Sequence, residues 1–297
     1  MKATEARTRV QFKNILFATD FSSAASAAVP FAAELTKRYG AKLYALYVRP
    51  PVVNPITPPL TWSGLEEAAA IEDARHEKEL ANTFAGIQPE ILIKEGDIWS
   101  SLAAALEEKN IDLIVIGTRG RSGISKFVLG SIAEEIFRQA PCPVLTVGPN
   151  TPAPGKQSGE ITKILFATDF SAESSAAAPY AVSLAQECQA YLTMLHVIKA
   201  PKAGDLVQAG DLVKSSTQLL HNLLPPEAEL WCVPEYVVEQ GEPAEKILEV
   251  AARTGAELIV LGVRQPSGFP GAATHLPIAT AHKVVSHAAC PVLTIRG

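Results

Sequence analysis

Several features that would assign the chain to a common functional class are scarce in its sequence. Charged residues make up 19% of the 297 residues and the net charge is −5, with no run of Lys and Arg and no aromatic-rich stretch to serve as a nucleic-acid platform. No 18 uninterrupted apolar residues occur, and the basic N-terminus is not followed by the apolar core of a signal peptide. We therefore expect a cytoplasmic protein that binds neither nucleic acid nor membrane.

The cysteines are too dispersed along the chain to form a metal or redox motif. No CxxC pair occurs, and no cysteine stands at a ligand spacing from a histidine. His282 and His287 are five residues apart on one predicted helix and do not share a face, which disfavours a metal site there as well. We expect reduced, packed thiols at Cys142, Cys188, Cys232 and Cys290.

The sequence contains an internal repeat. The residues "ILFATDFS" at 15–22 return unchanged at 164–171, and segment 95–120 aligns with segment 240–265. Near the end of each copy, "APCPVLTV" matches "AACPVLTI". A stretch rich in Pro, Gly and Ser separates the copies and is typical of a linker. The duplication predicts two domains, at 1–149 and 161–297, joined by a linker at 150–160.

Within each copy, short apolar runs alternate with longer helical patterns. In the first copy the runs are "ILFA", "KLYALYV", "EILIKE", "DLIVIG" and "VLTV", with helical stretches near 23–39, 64–86, 100–109 and 131–139. Continuous apolar runs indicate strands covered on both faces, and their alternation with helices indicates βαβ units. We therefore predict an α/β fold with two doubly wound, five-stranded parallel-sheet domains in tandem. Ser22 and Ser171 precede Ala-rich helical stretches and are predicted N-caps.

The loop after the fourth predicted strand carries the strongest functional signal. It reads "GTRGRSGISKFVLGS", with Gly117 and Gly120 at its start and Gly130 and Ser131 where the next helix opens. Glycines let backbone N–H groups approach an anion closely, and a helix start adds unpaired amides and a favourable dipole. The loop therefore favours phosphate binding. It is neither a Walker A loop nor the GxGxxG turn of dinucleotide-binding domains.

This glycine pattern, Gly-x-x-Gly, nine residues and Gly-Ser, resembles the ATP-binding signature of the universal stress protein family. The similarity covers both copies, and so nearly the whole chain, and it corresponds to the tandem two-domain form of the family. It implies the strand order 3-2-1-4-5 in each domain. That order places the turn after strand one beside the loop after strand four, at the reversal point where open parallel sheets bind ligands.

The resemblance implies an ATP site in the first domain, with Asp20 and the Val48 backbone at the adenine and ribose end. Asp20 by itself is equally well explained by a role in holding its turn. Arg119 could fork onto phosphate oxygens, although a solvated arginine explains it as well. Mg²⁺ stays open because no second carboxylate is evident. The candidate residues are Ala18, Thr19, Asp20, Val48, Ile116, Gly117, Arg119, Gly120, Gly130, Ser131 and Ile132.

The second copy lacks most of this pattern. Gln265 stands where the first copy has Gly120, and nearby prolines remove amide donors and restrict the backbone. Alignment from the shared "CPVLT" puts Ile278 and Ala279 where the helix-opening Gly and Ser should be. We expect no ATP held in the usual way there, although Asp169 and Val197 are present.

The leading functional hypothesis is an ATP-binding stress or signalling protein whose nucleotide alters the loop at 117–131 and thereby its contacts with an unidentified protein partner. A slow ATP hydrolase and a nucleotide-free interaction module are the alternatives. The first lacks an SGGxDS loop and an obvious general base, and the second conflicts with the intact glycine pattern. The last strand of each copy is an edge that needs covering, so the copies could pair as a pseudo-dimer, and a homodimer of chains is also plausible.

Overall fold

The chain alternates strands and helices throughout, in two similar halves. The computed structural model describes residues 10–51, 62–118, 130–148, 151, 161–198, 206–224, 233–263 and 277–296. The first half runs through β1 (Asn14–Thr19), α1 (Ser23–Tyr39), β2 (Lys42–Arg49), α2 (Trp62–Thr83), β3 (Glu90–Glu95), α3 (Ile98–Glu108), β4 (Leu113–Gly117), α4 (Ser131–Gln139) and β5 (Val144–Val147).

The second half repeats this order of elements. It runs through β6 (Lys163–Thr168), α5 (Ala172–Cys188), β7 (Tyr191–Ile198), α6 (Leu206–Asn222), β8 (Glu235–Gln240), α7 (Pro243–Thr254), β9 (Leu258–Val263), α8 (Pro277–His287) and β10 (Val292–Arg296). The helices of the first half differ from the sequence prediction at their ends only. Both α2 and α3 begin two residues earlier than predicted, α2 ends three residues earlier and α3 ends one residue earlier. None of the helices that the structure describes combines the length and apolar character needed to cross a bilayer.

Both halves have the predicted doubly wound sheet. All strand pairs within a half are parallel, and the order 3-2-1-4-5 of the first half recurs in the second as β8, β7, β6, β9 and β10. The two sheets are joined, because β5 and β10 pair antiparallel in the register Leu145 with Leu293. The result is one ten-stranded sheet in which neither last strand is left as an edge.

The junction between the halves is reinforced on both sides of this strand pair. The Thr146 hydroxyl donates to the Val292 carbonyl at 3.1 Å, and the Thr294 hydroxyl donates to the Val144 carbonyl at 3.2 Å. Arg38 at the end of α1 donates to the carbonyl of Glu187 in α5 at 2.7 Å. The halves therefore meet through backbone, side-chain and apolar contacts rather than through the linker alone.

The strands are apolar along their whole length because helices cover both faces of the sheet. Along β1, Ile15 and Phe17 enter one core layer while Leu16 enters the other, as the two-residue period of a strand requires. Phe17 is 1% exposed and meets the ring of Phe84 edge-on at 5.2 Å between centroids. This double coverage explains why the apolar runs did not alternate with polar residues.

The cysteines that the structure describes are free thiols, and Cys232 lies outside the described residues. Cys290 is buried, whereas Cys142 and Cys188 are partly buried. Burial raises the pKa of both the Cys142 and the Cys290 thiol to about 12. These two groups therefore stay protonated, and poorly nucleophilic, at neutral pH.

Both predicted N-caps are present. The Ser22 hydroxyl accepts from the Ala25 amide at 3.2 Å, and the Ser171 hydroxyl accepts from the Ser174 amide at 3.2 Å.

We expect Ser22→Ala to lower the free energy of unfolding by about 1 kcal/mol, since one first-turn amide of α1 loses its partner. Urea denaturation followed by circular dichroism measures this. Ser26→Ala is the control, because the exposed Ser26 hydroxyl bonds back to the Ser22 carbonyl within the helix and does not cap it. Equal losses in the two variants would contradict the capping role.

Candidate functional site

A cavity of about 350 Å³ opens at the carboxyl ends of β1, β2 and β4, where the strand order reverses. Most of the residues predicted from the sequence line it. Two others, Arg119 and Gly120, lie outside the described residues. The predicted residues on the cavity wall are Ala18, Thr19, Asp20, Val48, Ile116, Gly117, Gly130, Ser131 and Ile132.

The turn after β1 is held by its own side chains. The Thr19 hydroxyl accepts from the Phe21 amide at 2.9 Å, and Asp20 Oδ1 accepts from the Ser22 amide at 3.0 Å. Phe21 takes a φ of 59°, which residues with a side chain rarely adopt. Asp20 therefore holds the turn and also presents its carboxylate on the cavity wall, so the two interpretations of this residue are compatible.

Aromatic packing behind this turn connects it to β2. The Phe21 ring stacks on His76 of α2 at 4.6 Å, and Tyr47 of β2 meets the Phe21 and His76 rings edge-on at 5.0 and 4.5 Å. His76 is only 4% exposed. Since Tyr47 directly precedes Val48, this cluster fixes the two wall segments, residues 19–21 and Val48, relative to each other.

Gly117 ends β4 where the first turn of α1 packs against it. A Cβ at Gly117 would lie 2.5 Å from the backbone carbon and oxygen of Ala24, which is far inside van der Waals contact. Only glycine lets α1 approach the strand this closely. The approach puts Ala25 of α1 on the cavity wall beside Gly117.

The opposite wall is the start of α4. Gly130 is its N-cap and carries no side chain to accept from the first turn, whereas Ser22, Asp97 and Ser171 do so at α1, α3 and α5. The Gly130 amide donates to the Thr118 carbonyl at 2.9 Å, which closes the base of the loop between them. The first helical bond runs from the Glu134 amide to the Gly130 carbonyl. The amides of 131–133 thus have no helical acceptor, and all three residues line the cavity.

The floor of the cavity is apolar and was missed by sequence reasoning. Ile98 and Leu102 lie one turn apart on α3, so their spacing indicated a shared face, but the sequence did not show which surface that face covers. Ala25 was seen only as part of an Ala-rich helix. The missed lining residues are Ala25, Leu46, Ile98, Leu102, Ala133 and Ile136.

The site therefore combines three environments. Helix-start amides without a helical acceptor suit an anion at one end, the Asp20 carboxylate suits hydrogen-bond donors at the other, and an apolar slot lies between them. Asp20 is the one charged side chain among the described lining residues. No group of three or more His, Cys, Asp or Glu side chains arranged to hold a metal occurs in the described part of the chain.

In the second half, the turn after β6 contains hydrogen bonds between its own hydroxyl-bearing side chains. Asp169 Oδ1 accepts from both the amide and the hydroxyl of Ser171, at 3.0 and 2.5 Å. Ser174, which aligns with Ala25, shares a 2.9 Å hydrogen bond with Thr168. A polar network thus occupies the place where, in the first half, a small apolar residue lines the cavity.

The helix after β9 also starts differently. α8 begins at Pro277, so Ile278, which aligns with the N-cap Gly130, lies inside the helix. The loop that carries Gln265, Pro266 and Pro270 lies outside the described residues. In the alignment of the two halves, α8 thus begins two residues earlier than α4, in line with the altered sequence pattern.

Comparison with known proteins agrees with this duplicated architecture. The family model described as the universal stress protein family matches residues 11–148 and again residues 160–296. The chain belongs to the universal stress protein family. Its two matches make it a tandem, two-domain universal stress protein.

Single-domain relatives correspond to about half of this universal stress protein. It is 36% identical over 140 residues to a universal stress protein of Thermus aquaticus, covering 46% of this chain and 98% of that one. It is 32% identical over 142 residues to one from Methanocaldococcus jannaschii, covering 46% and 82%. The crystal structure of a universal stress protein from Archaeoglobus fulgidus DSM 4304 superposes with a TM-score of 0.69 at 19% identity, covering 97% and 99% of the two chains. That structure shares the whole two-domain fold.

Proposed function

We propose that this universal stress protein binds one ATP in the cavity of its first half and acts in the cytoplasm in stress response or signalling. The uncapped start of α4 on the cavity wall is the observation that carries the proposal. Nucleotide occupancy would change the loop between Gly117 and Ser131 and thereby the contacts of the chain with a partner protein. The residues of this proposed site are those predicted from the sequence. Nine of them line the cavity, and Arg119 and Gly120 are retained on the strength of the family resemblance.

The polarity of the site sets the direction of the nucleotide. The phosphates belong at the amides of 131–133, because a carboxylate beside them would repel them. The ribose hydroxyls and the base amine can donate to Asp20, and the apolar floor with Leu46 and Leu102 suits the flat face of the base. Mg²⁺ would be carried mainly by the phosphates, since Asp20 is the lone carboxylate among the described lining residues.

The second half has a structural part in this proposal. At its turn after β6, the Ser174 hydroxyl bonds to Thr168 where the first half has Ala25, and its α8 starts without the glycine cap. We therefore expect one nucleotide per chain rather than two. The β5 and β10 edges pair with each other inside the chain, so a homodimer of chains would need other surfaces.

Mass spectrometry of the freshly purified, denatured protein tests the proposal directly. We expect ATP to be released, and titration calorimetry of the emptied protein to give about one ATP per chain. Asp20→Ala should weaken the binding of both ATP and adenosine, because it removes an acceptor at the ribose end. A protein that neither carries nor binds adenine nucleotide would contradict the proposal. Steady phosphate release that Asp20→Ala abolishes would indicate a hydrolase instead.

A further inference from the structure

The last turn of α4 receives a hydrogen bond from the second half of the chain. Arg296, the final residue of β10, donates from Nη2 to the carbonyl oxygen of Phe137 at 3.0 Å. The usual helical donor to that carbonyl would be the amide of residue 141, which is a proline without an N–H. The arginine thus satisfies a carbonyl that the helix itself cannot.

The matching junction on the other side of the β5 and β10 pair is built differently. Alignment through "CPVLT" places Gly148 opposite Arg296 and Ala289 opposite Pro141. A glycine offers no guanidinium to the end of α8, and an alanine at 289 retains the amide that Pro141 lacks. The two-fold symmetry of the junction is therefore broken at both positions. The arginine serves the helix whose first turn carries the proposed phosphate site.

Placing the guanidinium of Arg296 beside the end of α4 costs desolvation free energy. It is about half-buried, and desolvation lowers its pKa, although an arginine remains charged at any physiological pH. Its Nε is buried and has no hydrogen-bond partner among the residues that the structure describes. A buried cation at a helix C-terminus is stabilised by the helix dipole, and an anion at the N-terminus of the same helix is stabilised by that dipole too.

We infer that Arg296 is a positioning residue for the nucleotide site, supplied by the second half to the first. The helix it holds has nine residues, Ser131–Gln139, so its two ends are only about two and a half turns apart. Ile136, beside the bonded Phe137, already lines the cavity floor. By keeping the last turn in place, Arg296 holds the amides of 131–133 toward the phosphates. This role rests on the proposed function, and it makes the interface between the halves part of the site.

Arg296→Gln and Arg296→Lys test this role through the ratio of ATP to adenosine affinity. We expect Arg296→Gln to weaken ATP about three- to tenfold and adenosine less than twofold, because only the phosphates contact the start of α4. Arg296→Lys keeps the cation and should lie between the wild type and Arg296→Gln. Lys283→Gln is the matched control, since it removes a cation from the last two turns of α8, where Lys283 pairs with the exposed Glu245. It should leave both affinities unchanged.

Hydrogen exchange of the nucleotide-free protein gives a second readout. Arg296→Gln should speed exchange of the α4 amides at 134–137, whereas Lys283→Gln should not. Unchanged exchange, or an unchanged affinity ratio in a wild-type background that binds ATP, would overturn the positioning role. An equal loss of ATP and adenosine affinity would also overturn it, since that is what a purely structural arginine would give. Failure of the proposed function is seen separately, as absent ATP binding by the wild type.

Discussion

An aspartate in place of Gly130 is expected to abolish ATP binding while leaving the fold intact. Gly130 has φ −62° and ψ 145°, close to the backbone of the capping residues Ser22 and Asp97, so a residue with a side chain adopts this conformation without backbone strain. The new carboxylate would accept from the first-turn amides of α4, which are the groups proposed to hold the phosphates. The same change that caps the helix thus blocks the site.

The charge of this carboxylate adds to the loss. A carboxylate about 4 Å from one phosphate charge costs about 4 kcal/mol at the effective dielectric near a protein surface. We therefore expect ATP affinity to fall at least about a hundredfold, and adenosine affinity to change little. Calorimetric titration with both ligands measures the difference. Thermal unfolding should show a midpoint equal to or above that of the wild type.

Two further variants separate blockage from repulsion. Gly130→Ser supplies a neutral cap, so its effect on ATP should be clearly smaller than that of aspartate. Glu242 is the N-cap residue of α7 in the second half, and its side chain makes no capping hydrogen bond. Glu242→Asp is the control, because it places an aspartate at the N-cap of a helix away from the proposed site and should leave ATP binding unaltered. Full ATP affinity in the Gly130→Asp variant would mean that the phosphates do not lie at the start of α4, and the proposed site would be wrong.

Gly117→Ala and Gly262→Ala are expected to destabilise the protein to similar extents and to differ in their effect on ATP. A Cβ at Gly117 meets the Ala24 backbone at 2.5 Å, and one at Gly262 comes within 2.6 Å of the Glu173 carbonyl carbon. In both cases the obstacle is the backbone of a helix first turn, which cannot rotate away as a flexible side chain can. We expect each substitution to lower the free energy of unfolding by about 3 kcal/mol.

The pair is informative because the same packing defect is placed once beside the proposed site and once away from it. Gly117→Ala pushes the first turn of α1 off β4, and with it the Asp20 turn and Ala25 on the cavity wall. ATP affinity should therefore fall about tenfold or more in Gly117→Ala and stay within twofold in Gly262→Ala. Urea denaturation and calorimetry of the folded variants provide the two measurements. Equal ATP losses in both would indicate that binding merely follows global stability.

The local features of this chain could be predicted from its sequence because they depend on near neighbours. The apolar runs between helical patterns predicted both doubly wound sheets, and the structure confirms them. The capping serines at 22 and 171 were predicted for the same reason, since a cap involves residues only three apart. The glycine pattern likewise indicated which loop carries the candidate site, because close backbone approach is a property of the residue itself.

What depends on residues far apart along the chain was decided only by the tertiary structure. The sequence showed that the last strands needed covering, but only the fold shows that β5 and β10 pair antiparallel into one ten-stranded sheet. The apolar floor from Ile98, Leu102 and Ile136 was not predicted, because helical spacing marks an apolar face without saying what it faces. The contact of Arg296 with Phe137 left no local signal at all, because the hydrogen bond joins two residues that come together only when the two halves pack.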